Sequence, residues 1–206
     1  MLWIWIVAAG LYVLFRGWYD NWRGPLRRTE IDAFLEQARA TGADRHNDLA
    51  VVEDFLARDD GREFFMLNLV KVQAGEVPDP FTGQPVRGRD MLARYTGPFM
   101  RRLFLRGGHP ALAARPVGGY VDAWNTTADP GWTLVGYMRY RSRRDMMRLA
   151  GDPAFREIHP FKIAATATTF SFPTRPMLML LVGPRLWVGL VLALVAALVQ
   201  IALTGR

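Results

Sequence analysis

Leu186 to Leu203 is a run of apolar residues in which Gln200 is the only polar side chain, with Arg185 and Trp187 marking one end and Arg206 lying beyond the other. About 18 such residues are long enough to cross a bilayer as a helix, because every backbone amide is then bonded within the segment. The run therefore predicts a transmembrane helix. Gly189, Ala193 and Ala197 recur every four residues within it. That stripe would let another helix backbone approach closely, either the first span or the same span of a second copy; alternatively it reflects the small-residue content usual in such helices. At the other end, Met1 to Phe15 carries no charged side chain, and Trp18, Tyr19 and Trp22 follow Arg16 as an interfacial aromatic group would. The segment is short for a span, but Arg16 can snorkel and the helix can continue to Tyr19. A cleaved signal peptide is the competing reading; no basic region precedes the run and no small-x-small cleavage site follows it.

The flanking charges set an orientation. Arg16, Arg23, Arg27 and Arg28 follow the first span and Arg175 and Arg185 precede the second, against Arg206 alone on the far side. By the positive-inside rule the middle of the chain faces the cytoplasm, which makes this a two-pass protein of the cell inner membrane. The organisation expected is a span with its aromatics over 1–22, a helical lead-in over 23–61, one α+β domain over 62–174 and the second span over 175–206.

What remains for water-soluble structure is about 150 residues, the size of one domain. The chain has no cysteine, which rules out a disulfide framework, thiolate metal sites and a cysteine nucleophile. The net charge of +7 raises the question of nucleic acid, but the 26 basic residues are dispersed among 19 acidic ones. An anionic bilayer surface accounts for the charge more economically, and no nucleic-acid partner is expected.

Phe64 to Val72 is the best strand candidate. Apolar and aromatic residues run from Gly61 to the turn-rich segment at Gln73, and period two places Phe65, Leu67 and Leu69 on one face and Phe64, Met66, Asn68 and Val70 on the other. Asn68 is thus one amide in an apolar surface and needs a partner or a pocket. Before this strand, Thr29 with Asp32 suggests a helix start, with Ile31, Phe34, Leu35 and Ala38 as its apolar stripe, and a second helix is expected from Asn47 to Arg58. After it, the Pro- and Gly-rich Gln73 to Arg89 reads as a long loop or hairpin. Asp90 to Leu105 reads as a helix that Gly97 and Pro98 should kink or restart, ended by Gly107 and Gly108. Ala111 to Ala114, Gly119 to Trp124 and Trp132 to Tyr140 are strand candidates. Ser142 with Asp145 caps one helix, Asp152 with Pro153 starts another, and Thr166 to Phe172 closes the set as a strand. This order is that of the ferredoxin-like fold.

Met66-Leu67-Asn68-Leu69, Gly107-Gly108, and Tyr140-Arg141-Ser142-Arg143 leading to Gly151-Asp152-Pro153-Ala154-Phe155 and His159 together resemble a small domain-of-unknown-function branch of the dimeric α/β-barrel superfamily, over roughly Phe64 to Pro173. The resemblance implies two ferredoxin-like sheets closing into a barrel between subunits, with a pocket between sheet and helices. Relatives in that superfamily include cofactor-independent monooxygenases, haem-degrading enzymes and isomerases. The two apolar ends, the Gln73 to Arg89 loop, and Lys162 where the branch tends to have arginine all depart from its compact form.

For chemistry the sequence offers little. His159 precedes Pro160 near Glu157 and Lys162 and could serve as base, ligand or packing group; with Tyr137 it is a weak catalytic candidate. His109 sits after a helix end and His46 before a helix, and no two histidines have metal-ligand spacing, so no metal and no cofactor are expected. Asn68, Tyr137 and Arg139 form the ligand-binding candidate, since strand alternation can turn all three toward one space. The opposing reading is that Asn68 satisfies a backbone group and Arg139 meets an acidic side chain. The function expected is a membrane-anchored accessory protein that binds a hydrophobic small molecule or a membrane-protein partner, as a homodimer or as a subunit of a membrane complex. The alternative is a cofactor-independent monooxygenase or isomerase acting on a lipophilic substrate.

Overall fold

A computed structural model describes residues 1–42, 47–179 and 182–205. In chain order the elements are α1 (Leu2–Tyr19), α2 (Arg28–Ala40), α3 (Leu49–Ala57), β1 (Phe64–Val72), β2 (Glu76–Pro78), β3 (Pro85–Arg87), α4 (Gly88–Leu105), β4 (His109–Ala114), β5 (Leu134–Tyr140), α5 (Arg143–Ala150), α6 (Pro153–Ala165), β6 (Thr166–Thr174) and α7 (Pro184–Thr204). Two compact units result: Met1–Trp22 with Pro176–Arg206, and Arg23–Arg175. The lead-in helices α2 and α3 belong to the second of these.

In the first unit, α1 and α7 are long and apolar enough to cross a membrane by length and composition, with mean hydropathies of 1.4 and 2.6. They pack on each other. Gln200 accepts a hydrogen bond from the Trp5 indole at 2.7 Å, and the Tyr12 hydroxyl donates to the Arg185 carbonyl at 2.9 Å. Asp20 pairs with both Arg16 and Arg185, the latter at 2.7 Å. A Cβ added to Gly189 would come within 3.4 Å of the Tyr12 ring, whereas Ala193 is exposed and Ala196 is buried. The four-residue stripe expected from Gly189, Ala193 and Ala197 is therefore only partly used. At 3.6 residues per turn each step of four drifts by about 40°, while a step of seven returns to within about 20°.

The second unit is α+β. Its main sheet has four strands, all antiparallel, in the order β4-β5-β1-β6, with β1 inside and β6 at an edge. Phe64, Met66, Asn68 and Val70 point to the helix-covered face. There Phe64 stacks on Tyr140 at 5.2 Å and packs with Tyr95, Phe99, Leu103 and Leu149 from α4 and α5. A second cluster of Ile31, Leu35, Leu56 and Met147 fixes α2 and α3 against α5. The turn-rich 73–89 segment folds because Asp79 accepts from the amides of Phe81 and Thr82 at 2.8 and 3.0 Å, which closes the β2-β3 hairpin over a left-handed Gly83.

Three local expectations change, and one falls outside the described residues. Gly119 to Trp124 is not a strand: Gly118-Gly119 and the polar Asp122 leave nothing to pack on a sheet, and the Asp129 carboxylate takes the Tyr120 amide at 3.1 Å, holding the segment as an exposed loop. Helix α4 runs through Gly97-Pro98 without restarting, its stripe of Met91, Tyr95, Phe99 and Leu103 being buried throughout. Packing of that stripe outweighs the one hydrogen bond Pro98 cannot make. Helix α2 starts at Arg28 rather than Thr29, because the Glu30 carboxylate reaches back to the Arg27 amide at 3.0 Å. His46 lies outside the described residues.

Candidate functional site

The sheet register separates the three residues expected to act together. Asn68 stands opposite Gly136 and Ser171, while Tyr137 stands opposite Leu67 and Leu112, and Arg139 opposite Phe65 and His109. Residues directly across a ladder share a face, so Asn68 points toward the helices and the other two point away. Asn68 donates to the carbonyls of Met66 at 2.9 Å and Gly136 at 3.4 Å, and its own carbonyl accepts from the Ser171 hydroxyl at 2.8 Å. It staples β5, β1 and β6 together. Arg139 is 1% exposed, and its guanidinium bonds the Glu63 carboxylate and the Gly107 carbonyl. Both residues are therefore held by the protein itself, and only Tyr137 faces open space. Asn68→Leu is expected to lower unfolding stability by about 1–3 kcal/mol in denaturant titration, because two carbonyls and the Ser171 hydroxyl lose a partner.

The outward face of the sheet is apolar. Leu112, Phe170 and Phe172 are 50%, 45% and 45% exposed beside the half-buried Leu67, Val135 and Tyr137. Near one end, Trp132 meets Phe170 edge-on at 5.0 Å and donates to the Tyr120 hydroxyl at 2.8 Å, and a cavity of about 440 Å³ lies between Leu69, Val135 and this loop.

On the helix side a cavity of about 610 Å³ opens between α3, α6 and β6. Its wall on α6 is the stripe His159, Lys162, Ile163, with Thr166 at the junction to β6, a helical i, i+3, i+4, i+7 pattern. The His159 ring contacts Tyr95 and Phe155, with centroids 6.4 and 5.7 Å apart. The Lys162 ammonium lies 5.6 Å from the centre of the Tyr95 ring, and burial lowers its pKa from the ordinary lysine value. Thr166 Oγ1 is buried with no hydrogen-bond partner among the described residues. Ser171, bonded to Asn68, lines the same cavity. Lys162 and Thr166 were not singled out by the sequence as binding groups; their seven-residue stripe with His159 was the available signal. His109 begins strand β4, with Nδ1 3.0 Å from the Pro110 carbonyl oxygen, and stands apart from this cavity's lining. Among the described residues no three His, Asp or Glu side chains gather where they could hold a metal ion.

This fold has solved counterparts. The methylated RPA0582 protein is 23% identical with a TM-score of 0.53, over 64% of this chain and 93% of its own. The RPA0582 protein of unknown function from Rhodopseudomonas palustris is 22% identical with a TM-score of 0.52, over 65% of this chain and 96% of its own. The likeness is one of fold. No protein-family model and no curated protein matches the chain.

Proposed function

We propose that this is a membrane-anchored accessory protein whose α+β unit is a ferredoxin-like half of a dimeric α/β barrel and serves as a small-molecule binding module. The observation that carries the reading is the apolar outer face of the sheet in a chain whose two ends are span-length apolar helices. The strand order β4-β5-β1-β6, with α4 and α6 making the crossovers, supports the ferredoxin-like arrangement. A second copy is the occupant the face suits best: its centre carries no charge outside the neutralised Arg139, and an isologous contact sets the Phe170 and Phe172 edge of one copy against the same surface of the other. The arginine asymmetry around the apolar ends supports a cytoplasmic position for the unit at the inner membrane.

Because the chain has no cysteine, a single Phe172→Cys variant reports both claims in intact cells. A membrane-permeant bifunctional maleimide should link two copies, while an impermeant maleimide added from outside should leave the thiol unmodified. Phe172→Asp should abolish the link between copies that carry a second reporter, Leu112→Cys. Labelling from outside overturns the orientation, and a chain that stays monomeric at micromolar concentration overturns the pairing.

A second reading, a cofactor-independent isomerase or monooxygenase, draws on one observation: His159 and Lys162 line the same cavity one helical turn apart. A lysine whose charged form burial disfavours and an imidazole are groups able to move protons.

A further inference from the structure

We infer that the cavity between α3, α6 and β6 binds the head of an amphipathic monoanion, a carboxylate on an aliphatic chain. The inference deepens the binding half of the proposed function and does not depend on sheet pairing.

The volume of about 610 Å³ is that of a small-molecule site. Three features select the charge. Most buried or half-buried arginines of this unit are neutralised in place: Arg139 by Glu63, Arg141 by Asp145, Arg144 by Glu30. Lys162 differs, since no carboxylate among the described residues lies within ion-pair distance of its ammonium and its neighbour is an aromatic ring. One turn further on, Thr166 also lines the cavity, and its Oγ1 is buried and, among the described residues, unpartnered, so a cation and a residue with a spare hydroxyl stand beside the same space. A carboxylate accepts from both, and a hydroxyl that accepts nothing and donates nothing in the protein is satisfied when it arrives.

Two further features set the valence and the tail. Asp48 also lines the cavity, with its carboxylate engaged by the Ala50 and Val51 amides at 2.9 and 3.4 Å as the cap of α3. Its negative charge is tolerable beside a monoanion and works against a dianionic phosphate. Val51, Val52 and Ile163, with Ala167 and Phe170 on the β6 side, form the apolar part of the wall, and Val51 and Ile163 are 64% and 46% exposed. That is where an aliphatic chain would lie, covering surface that otherwise meets water.

The test titrates the full chain, reconstituted in nanodiscs, with octanoate, octyl phosphate, octanol and octylammonium by calorimetry. Octanoate should bind and the alcohol and the amine should not. Lys162→Met should weaken octanoate by about tenfold or more and Thr166→Val by a smaller factor, with melting temperatures recorded on the same samples. Phe172→Asp, which lies outside the cavity, should leave octanoate binding unchanged even where it removes the dimer, so the two proposals fail separately. Octanol binding as tightly as octanoate, or a folded Lys162→Met variant with unchanged affinity, overturns the site. Octyl phosphate binding more tightly than octanoate overturns the carboxylate assignment in favour of a phosphate head. If Lys162→Met fails to fold, the head-group series on the unmodified chain decides alone.

Discussion

Arg139→Met should lower the unfolding free energy by about 3 kcal/mol, the low end of the cost of removing one partner from a buried ion pair. The guanidinium is 1% exposed and donates to the Glu63 carboxylate just before β1 and to the Gly107 carbonyl at the end of α4. Methionine fills much of the volume but leaves a carbonyl and a carboxylate without their donor. Glu63 is 28% exposed in its side chain, so water recovers part of its hydration and the loss stays near the lower limit. The neighbouring backbone cannot adjust to compensate. Gly107 has φ of 71°, and a Cβ at Gly108 would stand 2.7 Å from the Arg139 carbonyl oxygen, so α4 ends hard against β5. The double variant Arg139→Met with Glu63→Gln should recover part of the stability, since the uncompensated charge is then gone. A single variant as stable as the parent in denaturant titration would show that the pair contributes nothing.

Arg144→Met is expected to cost a similar amount, about 2–3 kcal/mol, for a different reason. Arg144 bonds both Glu30 oxygens at 2.8 and 3.0 Å and the carbonyls of Gly24 and Pro25 at 3.0 and 2.8 Å, tying α5 to the start of α2 and to the segment before it. These bonds, with that from the Arg27 amide, hold the Glu30 carboxyl at about 2, well below its usual value of 4.5. The folded pKa is thus depressed, so the stabilisation is fully present above about 4.5 and is lost as pH falls through about 2. Glu30→Gln should flatten that part of the acid limb of a pH–stability curve. A parent and variant whose curves run parallel between those limits would refute the assignment.

The two arginines show what the sequence could and could not disclose. Strand β1, helices α5 and α6 and the apolar ends were legible because their signals are local: alternation and apolar runs, Ser142 with Asp145, Asp152 with Pro153. The Gly119 to Trp124 segment looked like a strand for the same local reason, and failed because the Asp129 carboxylate takes the Tyr120 amide and holds the segment as a loop. The candidate site was not local. Whether Asn68 shares a face with Tyr137 depends on which residue of β5 it meets, and that register is set by strands distant in sequence. One residue of offset decides between a ligand pocket and a cross-strand staple. Arg139 was legible as a candidate with an acidic side chain as its opposing partner, but which carboxylate it meets was not, and Arg144 was unremarkable among so many arginines until the fold brought Glu30 to it.

The central strand has a consequence for the order in which the molecule is made. Asn68 lies 68 residues from its partner on β5 and 103 from its partner on β6. Neither neighbour can zip onto β1 from a hairpin turn, so both pairings wait for loop closures of high sequence separation. During synthesis Phe64 to Val72 lacks one of its two neighbouring strands until Thr166–Thr174 has emerged, and Pro184, the first residue of α7, follows soon after. Closure of the sheet and emergence of the last apolar helix thus fall close together in time. A delay at either step leaves the same exposed strand as the site where a nascent chain would aggregate.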